Sequence, residues 1–247
     1  ISPNAAATTR NMAFWMGRDK FYMYSGQVQT LPCTVRKYIF QDLAQQQAFQ
    51  VVSGTNEAYS EVWWYYCSAN STVVDRYVIY NYLDQVWYYG TLTRTAWLDS
   101  PLRSYPMAAT YSNNVVYHEN GVDDVTTTGN ILPITSYIQS SDFDLVDGDQ
   151  FILVRRIIPD MSFSGSTANN PVAYVTVKPR NFPGANYTTE VNKDVIETSS
   201  VPVEQYTNQV FIRARARQMG FKVGSVDLGV QWQLGAPRLD GRPDGKR

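Results

Sequence analysis

The chain has very little histidine, with His118 as the single one among 247 residues. Serine and cysteine nucleophiles are usually activated by a histidine, so any such system here would depend on this residue. No Gly-x-Ser-x-Gly sequence accompanies it, and a zinc site built on several histidines is excluded by the count. We therefore predict a protein that is not an enzyme, in which His118 forms a hydrogen bond at the end of a β-strand.

Cysteine is scarce as well, since Cys33 and Cys67 stand alone in the sequence. A disulfide framework would need more of them, and no CxxC or Cys/His spacing indicates a zinc site. We expect buried thiols, as in a protein assembled in a reducing cytoplasm, and no cofactor. No apolar run reaches the roughly 18 to 20 residues of a membrane helix, and no signal segment opens the chain. The first residue is Ile1 rather than methionine, which indicates a processed chain or a piece of a longer one.

Neither sign of charge dominates, because the formal net charge is -1. A surface for nucleic acid would therefore have to be local. What the chain has in quantity is aromatic side chains, at 14% of residues and mostly from 18 tyrosines. Aromatic residues favour pleated, half-buried strands over helices. We predict an all-β protein.

Aromatic strands around polar turns recur through the first half. Met12 to Tyr24 is typical of two strands around a turn at Gly17 to Lys20, and Lys37 to Val52 alone could hold helical turns. The other predicted strands lie in Glu61 to Cys67, Arg76 to Tyr82, Val86 to Leu92 and Pro106 to Tyr117. This recurrence favours propeller blades, with a plain meander or sandwich as the alternative. We predict a propeller-like region at 1–128 that is the C-terminal part of a larger propeller, since propellers typically need about four to eight blades.

From about Gly129 the strands become longer and alternate with polar loops. They are predicted at Pro133 to Ser140, Gln150 to Ile158, Val172 to Lys178, Val210 to Arg217 and Val230 to Leu234. This pattern indicates an antiparallel, β-sandwich-like domain over 129–247.

Three arginines alternate with small apolar residues near the end of this second region. On a strand, Arg213, Arg215 and Arg217 would share one face while Ile212, Ala214 and Ala216 share the other. Such a row is a solvated face, a set of salt bridges to a neighbouring acidic strand, a contact between subunits, or a weak lining along DNA. We predict the subunit contact, with Arg155 and Arg156 as further members.

The predicted partner of these arginines is an acidic stretch without lysine or arginine. Its carboxylates are Asp142, Asp144, Asp147 and Asp149. Calcium is an alternative interpretation because hard cations need several carboxylate oxygens, but the spacing departs from an EF-hand loop and the segment Asp147 to Asp149 is equally a β-turn. We therefore predict no metal site and assign these residues to an interface.

Several segments of the sequence resemble segments of one family of virion proteins. They are Glu61 to Tyr66, Asp75 to Tyr82, Val86 to Gly90, Asp147 to Asp160, Lys178 to Gly184, Arg213 to Arg217, Trp232 to Gly235 and Arg238 to Gly245. Together they resemble the tail hub, nozzle and DNA-stabilisation proteins of short-tailed bacteriophages. The resemblance is scattered over most of the chain from Phe14 onward, and it brings no catalytic residues with it.

The resemblance implies a structural protein of the virus tail, assembled in the host cytoplasm and located in the virion. It implies a homo-oligomeric ring, often of six subunits, below the portal and adaptor and around the DNA channel. Adaptor, portal-proximal and fibre proteins would be its neighbours, with non-specific contact to the genome during ejection. The alternative from another class is a tail spike or fibre that binds or depolymerises host-surface glycans, because paired carboxylates and abundant Trp and Tyr suit sugars.

Overall fold

The computed structural model describes residues 1–9, 11–126, 128–144, 148–185 and 199–246. The protein is mostly β-structure in antiparallel sheets, which confirms the all-β class. None of the sheets built from these described residues closes on itself. The chain divides into two compact units, Ile1–Asn120 and Gly121–Arg247. No helix in the described ranges is long and apolar enough to span a membrane.

The first unit contains one α-helix, α1 (Arg36–Asp42), followed by a 3-10 turn at Gln45–Gln50 and another at Glu57–Tyr59. Its strands are β1 (Ala6–Thr8), β2 (Ala13–Met16), β3 (Phe21–Tyr24), β4 (Val28–Leu31), β5 (Val52–Asn56), β6 (Glu61–Tyr66), β7 (Arg76–Asn81), β8 (Val86–Thr91), β9 (Ala96–Leu98), β10 (Met107–Ala109) and β11 (Val115–Tyr117). The hairpins and helical turns expected in this half are thus confirmed, with bounds that differ by a few residues.

Three antiparallel meanders follow one another in this unit. Their strand orders are β1-β2-β3-β4, β5-β6-β7-β8 and β9-β10-β11. The first strands of successive sheets adjoin, β1 beside β5 and β5 beside β9. Turn chemistry explains the tight connections: the Asn81 side chain accepts hydrogen bonds from the backbone of Leu83 and Asp84, and Gln85 and Asn113 take the positive φ that such turns require.

The middle sheet is covered on both faces. Alternation along β6 sends Trp64 and Tyr66 to one face, where they pack with Phe14 and Phe21 of the first sheet. The Trp64 indole lies 5.0 Å from the Phe21 ring, and its Nε1 donates to the Ala5 carbonyl at 2.9 Å. The opposite face carries Trp63 and Tyr65, which belong to a second apolar cluster. Aromatic side chains therefore form most of the packing between sheets.

The second unit is built from longer strands. They are β12 (Asp123–Val125), β13 (Ile131–Pro133), β14 (Ser136–Gln139), β15 (Ile152–Ile158), β16 (Met161–Ser162), β17 (Val172–Arg180), β18 (Ser199–Glu204), β19 (Val210–Ala216), β20 (Gln218–Ser225), β21 (Gln233–Leu234) and β22 (Arg238–Pro243). A four-stranded sheet has the order β14-β20-β17-β18, and a three-stranded sheet has the order β19-β15-β22. β12 pairs with β13, and β16 with β21.

Both larger sheets of this unit contribute to one apolar core. Strict alternation in β17 buries Ala173, Val175 and Val177 while the residues between them stay half-buried. β19 buries Ile212 and Ala214 in the same way from the other sheet. These small and β-branched residues fit the pleated surface, so this core needs few aromatic rings.

Two of the predicted strands need correction. The strand expected at Val230 to Leu234 is only the two-residue β21, because Val230 and Trp232 reach the core from a loop, and the Trp232 indole donates to the Ser136 hydroxyl at 2.9 Å. The strand expected at Pro133 to Ser140 is divided between the end of β13 and β14. Elsewhere the cysteines are free thiols, with Cys67 buried as expected and Cys33 half-buried.

Candidate functional site

The three-stranded sheet of the second unit has a polar outer face. In β19 the buried side chains are Val210, Ile212, Ala214 and Ala216. The residues between them point away from the core: Phe211 is 72% exposed, Arg213 is exposed and Arg215 is half-buried. The alternation expected for this strand is therefore present. Arg217 lies beyond it, since β19 ends at Ala216, one residue earlier than predicted.

Strand register brings further arginines to the same face. On β15, Arg156 lies between Phe211 of β19 and Asp240 of β22. Leu153 lies likewise between Arg215 and Arg242, so each of these two outward-facing rows includes at least one arginine.

A β-bulge and the start of β22 complete the set. The register of β15 shifts between Val154 and Arg156, and Arg155 at that irregularity is exposed. Arg238 is exposed at the start of β22. We call these residues the arginine face: Arg155, Arg156, Arg213, Arg215, Arg238 and Arg242.

Two carboxylates neutralise part of the arginine face. The Arg156 guanidinium lies 3.1 Å from the Asp240 carboxylate. Arg215 donates from Nε to Asp244 at 2.6 Å and from Nη2 to the carbonyl of the same residue at 3.1 Å. Its guanidinium also lies 4.0 Å from the centre of the Phe151 ring, a cation–π contact. Arg215 therefore holds the C-terminal strand region against its own unit.

The remaining arginines of the face have no such partner. Those without a carboxylate at ion-pair distance among the described residues are Arg155, Arg213, Arg238 and Arg242. All four are exposed. The face therefore presents a net positive charge to solvent.

Two of the acidic residues predicted to meet these arginines, Asp142 and Asp144, have other partners in the chain. Asp142 forms an ion pair with Arg180 at 2.6 Å. Asp144 accepts a hydrogen bond from the Gln218 amide at 3.2 Å. Asp147 lies outside the described residues. Among the described residues, no ion pair joins Asp142 or Asp144 to the predicted arginines.

Asp149 is paired with the C-terminal region. The Lys246 ammonium lies 2.5 Å from its carboxylate. The hydrogen bond from Lys246, together with its charge, holds the pKa of Asp149 below its ordinary value. No group of three or more His, Cys, Asp or Glu side chains placed to hold a metal ion occurs in the described part of the chain.

Arg217 contacts other groups at the edge of the sheet. Its Nη2 donates to the Lys246 carbonyl at 3.2 Å, and its guanidinium lies 5.1 Å from the centre of the Phe151 ring. Arg215 and Arg217 thus share one aromatic ring, and both contact the C-terminal segment. Their positions are structural within the unit, whereas Arg213 is free of such contacts among the described residues.

A second polar cluster lies in the first unit and was not predicted. Asn56 is 1% exposed, and its Nδ2 donates to Glu119 at 3.2 Å. It pairs across strands with Glu61, which accepts a hydrogen bond from the Trp63 indole at 2.9 Å. Burial raises the pKa of Glu61, and the nearby charge of Glu119 raises it further. Partial burial also raises the pKa of Glu119, although the hydrogen bond from Asn56 lowers it in part.

His118 lies beside this cluster. The Arg94 Nε donates to His118 Nε2 at 2.8 Å, and the Trp97 ring lies 4.7 Å from the imidazole. The prediction of a hydrogen-bonded histidine at a strand end is confirmed, because β11 ends at Tyr117. Burial, with the Arg94 charge second, lowers the pKa of His118 to about 4. The imidazole is therefore a neutral acceptor at neutral pH.

The comparisons with known proteins give no family. No protein-family model matches the chain, and no curated protein matches it at a significant level. Function is therefore argued from three features: the meanders of the first unit, the arginine face, and the cluster of Asn56, Glu61 and Glu119, which we call the Glu61 cluster.

Proposed function

We propose that the chain is a structural virion protein, a hub or nozzle subunit of a bacteriophage tail, and that it is not an enzyme. It assembles into a ring, with six subunits as the expected number, below the portal and adaptor and around the DNA channel. Its site of assembly is the host cytoplasm and its final location is the virion tail. Adaptor, portal-proximal and fibre proteins are its neighbours.

The observation that carries this proposal is the succession of meanders in the first unit. Each sheet runs up and down in sequence order, and β1, β5 and β9 adjoin as the first strands of their sheets. Radial repetition of such sheets, with the first strands nearest the axis, is how propeller blades are arranged. The proposed finer fold of the region 1–128 is therefore a set of propeller-like blades, formed by the strands of the first unit up to β11, and a rigid module of this kind suits a structural ring.

The second unit supports the same proposal. Its two larger sheets share one core, as the sheets of a β-sandwich do. The proposed finer fold of 129–247 is a β-sandwich-like domain. Its arginine face offers charge to a partner and no nucleophile, so contact rather than chemistry is the function that it supports.

Native mass spectrometry of the purified chain tests ring assembly. We expect a single cyclic oligomer, since closed point-group symmetry is the rule for homo-oligomers. The matched variant is Arg213→Glu, which removes no contact among the described residues of the unit; loss of the ring in this variant would assign the arginine face to a subunit contact. A monomer at all micromolar concentrations would contradict the proposal. Antibody labelling of purified virus particles provides the second arm, with label at the tail expected.

A second candidate function is glycan binding or depolymerisation by a tail spike or fibre. It is favoured by Glu61 and Glu119, two carboxyl groups with raised pKa beside Trp63 and Trp97. A general acid in sugar hydrolysis needs a raised pKa, and sugar rings stack on indoles. A glycan array and a capsule-digestion assay test it. Binding or cleavage that is lost in Glu61→Gln would replace the structural proposal.

A further inference from the structure

The arginine face has more positive charge than its own unit neutralises. Of its six arginines, Arg156 and Arg215 have carboxylate partners, Asp240 and Asp244. The other four are exposed without one among the described residues. Guanidinium groups are the side chains that best match carboxylate and phosphate oxygens. The face is therefore open to an anionic partner from outside its own unit.

The acidic stretch of a second copy is a poor match for that partner. Asp142 and Asp149 are already paired with Arg180 and Lys246, and Asp144 accepts from Gln218. Breaking these pairs to form equivalent ones between subunits would gain little free energy, because each new ion pair would only replace one that already exists. The described carboxylates of this stretch thus lack the free charge that the arginines need.

The geometry of the face suits a polyanion. Arg213 and Arg215 are two residues apart on β19, which separates their Cα atoms by roughly 7 Å along the strand. Neighbouring strands lie roughly 5 Å apart, so Arg155 on β15 and Arg242 on β22 extend the positive charge across the sheet. A two-dimensional array of this kind meets several phosphates of a nucleic-acid backbone at once, and each contact releases counterions.

We propose that the arginine face binds the phosphate backbone of double-stranded DNA without sequence preference. The choice of DNA as the polyanion rests on the proposed function, whereas the positive face itself does not. The interaction is through guanidinium groups and phosphate oxygens, and no contact to base edges is involved. In this proposal, Arg213 and Arg242 contact phosphate oxygens, whereas Arg215 holds the C-terminal segment in position through Asp244.

Fluorescence anisotropy with a labelled duplex of about 20 base pairs tests this proposal over a salt series from about 50 to 200 mM. We expect micromolar binding at low salt that weakens steeply as salt rises. The double variant Arg213→Glu/Arg242→Glu should bind about tenfold or more weakly, since two attractive charges become repulsive. The milder Arg213→Gln/Arg242→Gln should lower the slope of log K against log salt by about 2.

Two controls separate the backbone contact from other causes. Arg103→Glu reverses the charge of an exposed arginine in the other unit. Its affinity for the duplex should stay within about twofold of the wild-type value, because the arginine face and not the overall charge is responsible for binding. Phe211→Ala removes the exposed aromatic ring of the face and should leave duplex binding unchanged. Tighter binding of single strands that is lost in Phe211→Ala would overturn the duplex assignment, because it would show base stacking.

Ring assembly and DNA binding can fail separately. A ring in native mass spectra without DNA binding would overturn this inference and leave the proposed function intact. DNA binding by a protein that never forms a ring would overturn the proposed function and leave the DNA-binding inference intact. Equal affinity of the wild type and of Arg213→Glu/Arg242→Glu, both folded by circular dichroism, would overturn the inference. Loss of the ring itself in that variant without any DNA present would assign the face to a subunit contact instead.

Discussion

The two units use different side chains to hold β-sheets together. In the first, aromatic rings fill the spaces between sheets, as where Trp63 stacks on Trp97 at 5.4 Å and an interplanar angle of 15°. In the second, Val175, Val223 and other β-branched or small residues form most of the core, and the three-stranded sheet carries the arginine face on its outer side. Sheet packing in the first unit therefore depends on large rings, whereas the second unit packs its sheets with smaller side chains and carries the arginine face outside them.

The largest expected effect is at the aromatic packing of the first unit. Trp64→Ala should lower the free energy of unfolding by about 3 to 5 kcal/mol, because it removes a fully buried indole and leaves a cavity. Urea denaturation measures the change. Leu83→Ala is the matched control, since Leu83 is 74% exposed and should cost less than about 0.5 kcal/mol. Equal effects at both positions would mean that the aromatic interior does not stabilise this unit.

A smaller loss of stability is expected at Gly54, where the Trp97 ring leaves no room for a side chain. A Cβ atom at Gly54 would collide with the Trp97 side chain, which lies directly over this backbone position. Gly54→Ala should therefore displace Trp97 at a cost of about 1 to 3 kcal/mol. Thr91→Ala, on the exposed end of the same sheet, should change stability by under about 0.5 kcal/mol. Unchanged Trp fluorescence and stability in Gly54→Ala would show that the stacking is not required.

The first unit should also respond to acid through His118. Its pKa is about 4 in the folded protein and 6.5 in its ordinary state, so the unfolded chain binds the proton first as pH falls. The free energy of unfolding should decrease between pH 6.5 and 4, by roughly 2 kcal/mol at about pH 5. The glutamates Glu61 and Glu119 act in the opposite direction, because their raised pKa values favour the folded state on acidification.

The variant His118→Gln isolates the histidine term. Urea midpoints of the wild type and variant at two pH values, one near neutral and one near 5, give the difference directly. Only the wild type loses stability through His118 as the pH falls. We therefore expect the difference between the two urea midpoints to narrow or reverse at the lower pH. A gap that stays constant would show that the histidine titrates alike in the folded and unfolded protein.

The smallest effect is expected on the arginine face of the second unit. Arg215→Ala removes the Asp244 pair and the contact with Phe151, and should cost about 1 kcal/mol. Arg213→Ala removes no contact among the described residues and should stay within about 0.5 kcal/mol. Thermal unfolding of the two variants side by side measures the difference. Equal destabilisation would mean that Arg213 also holds the unit together.

The sequence predicted local hairpins better than it predicted the candidate sites. β2–β3 and β10–β11 were found because aromatic or β-branched runs flank residues such as Asn113 that tolerate positive φ. β20 was missed because Gly220, Lys222 and Gly224 interrupt its apolar pattern, although pairing with β14 and β17 makes it central. Tertiary pairing, which no local pattern reports, decided that strand.

The sites depended on contacts between distant residues. The alternation of Arg213 and Arg215 predicted a shared face, but it could not show that Asp244 neutralises Arg215. Likewise, Asn56 and Glu119 are 63 residues apart, and no spacing indicates that they meet. Ion pairs within the chain determine which charges remain for a partner, so the predicted interface residues became distinguishable only in the folded protein.

Cryo-electron microscopy of isolated virus tails tests the proposed ring and its contact with DNA together. With this chain traced in the density, we expect copies repeated around a central channel. It also predicts that the outer sheet face carrying Arg213 and Arg242 lies next to DNA density. Chains traced only in a peripheral spike or fibre, with the Glu61 cluster open to host glycans, would contradict it.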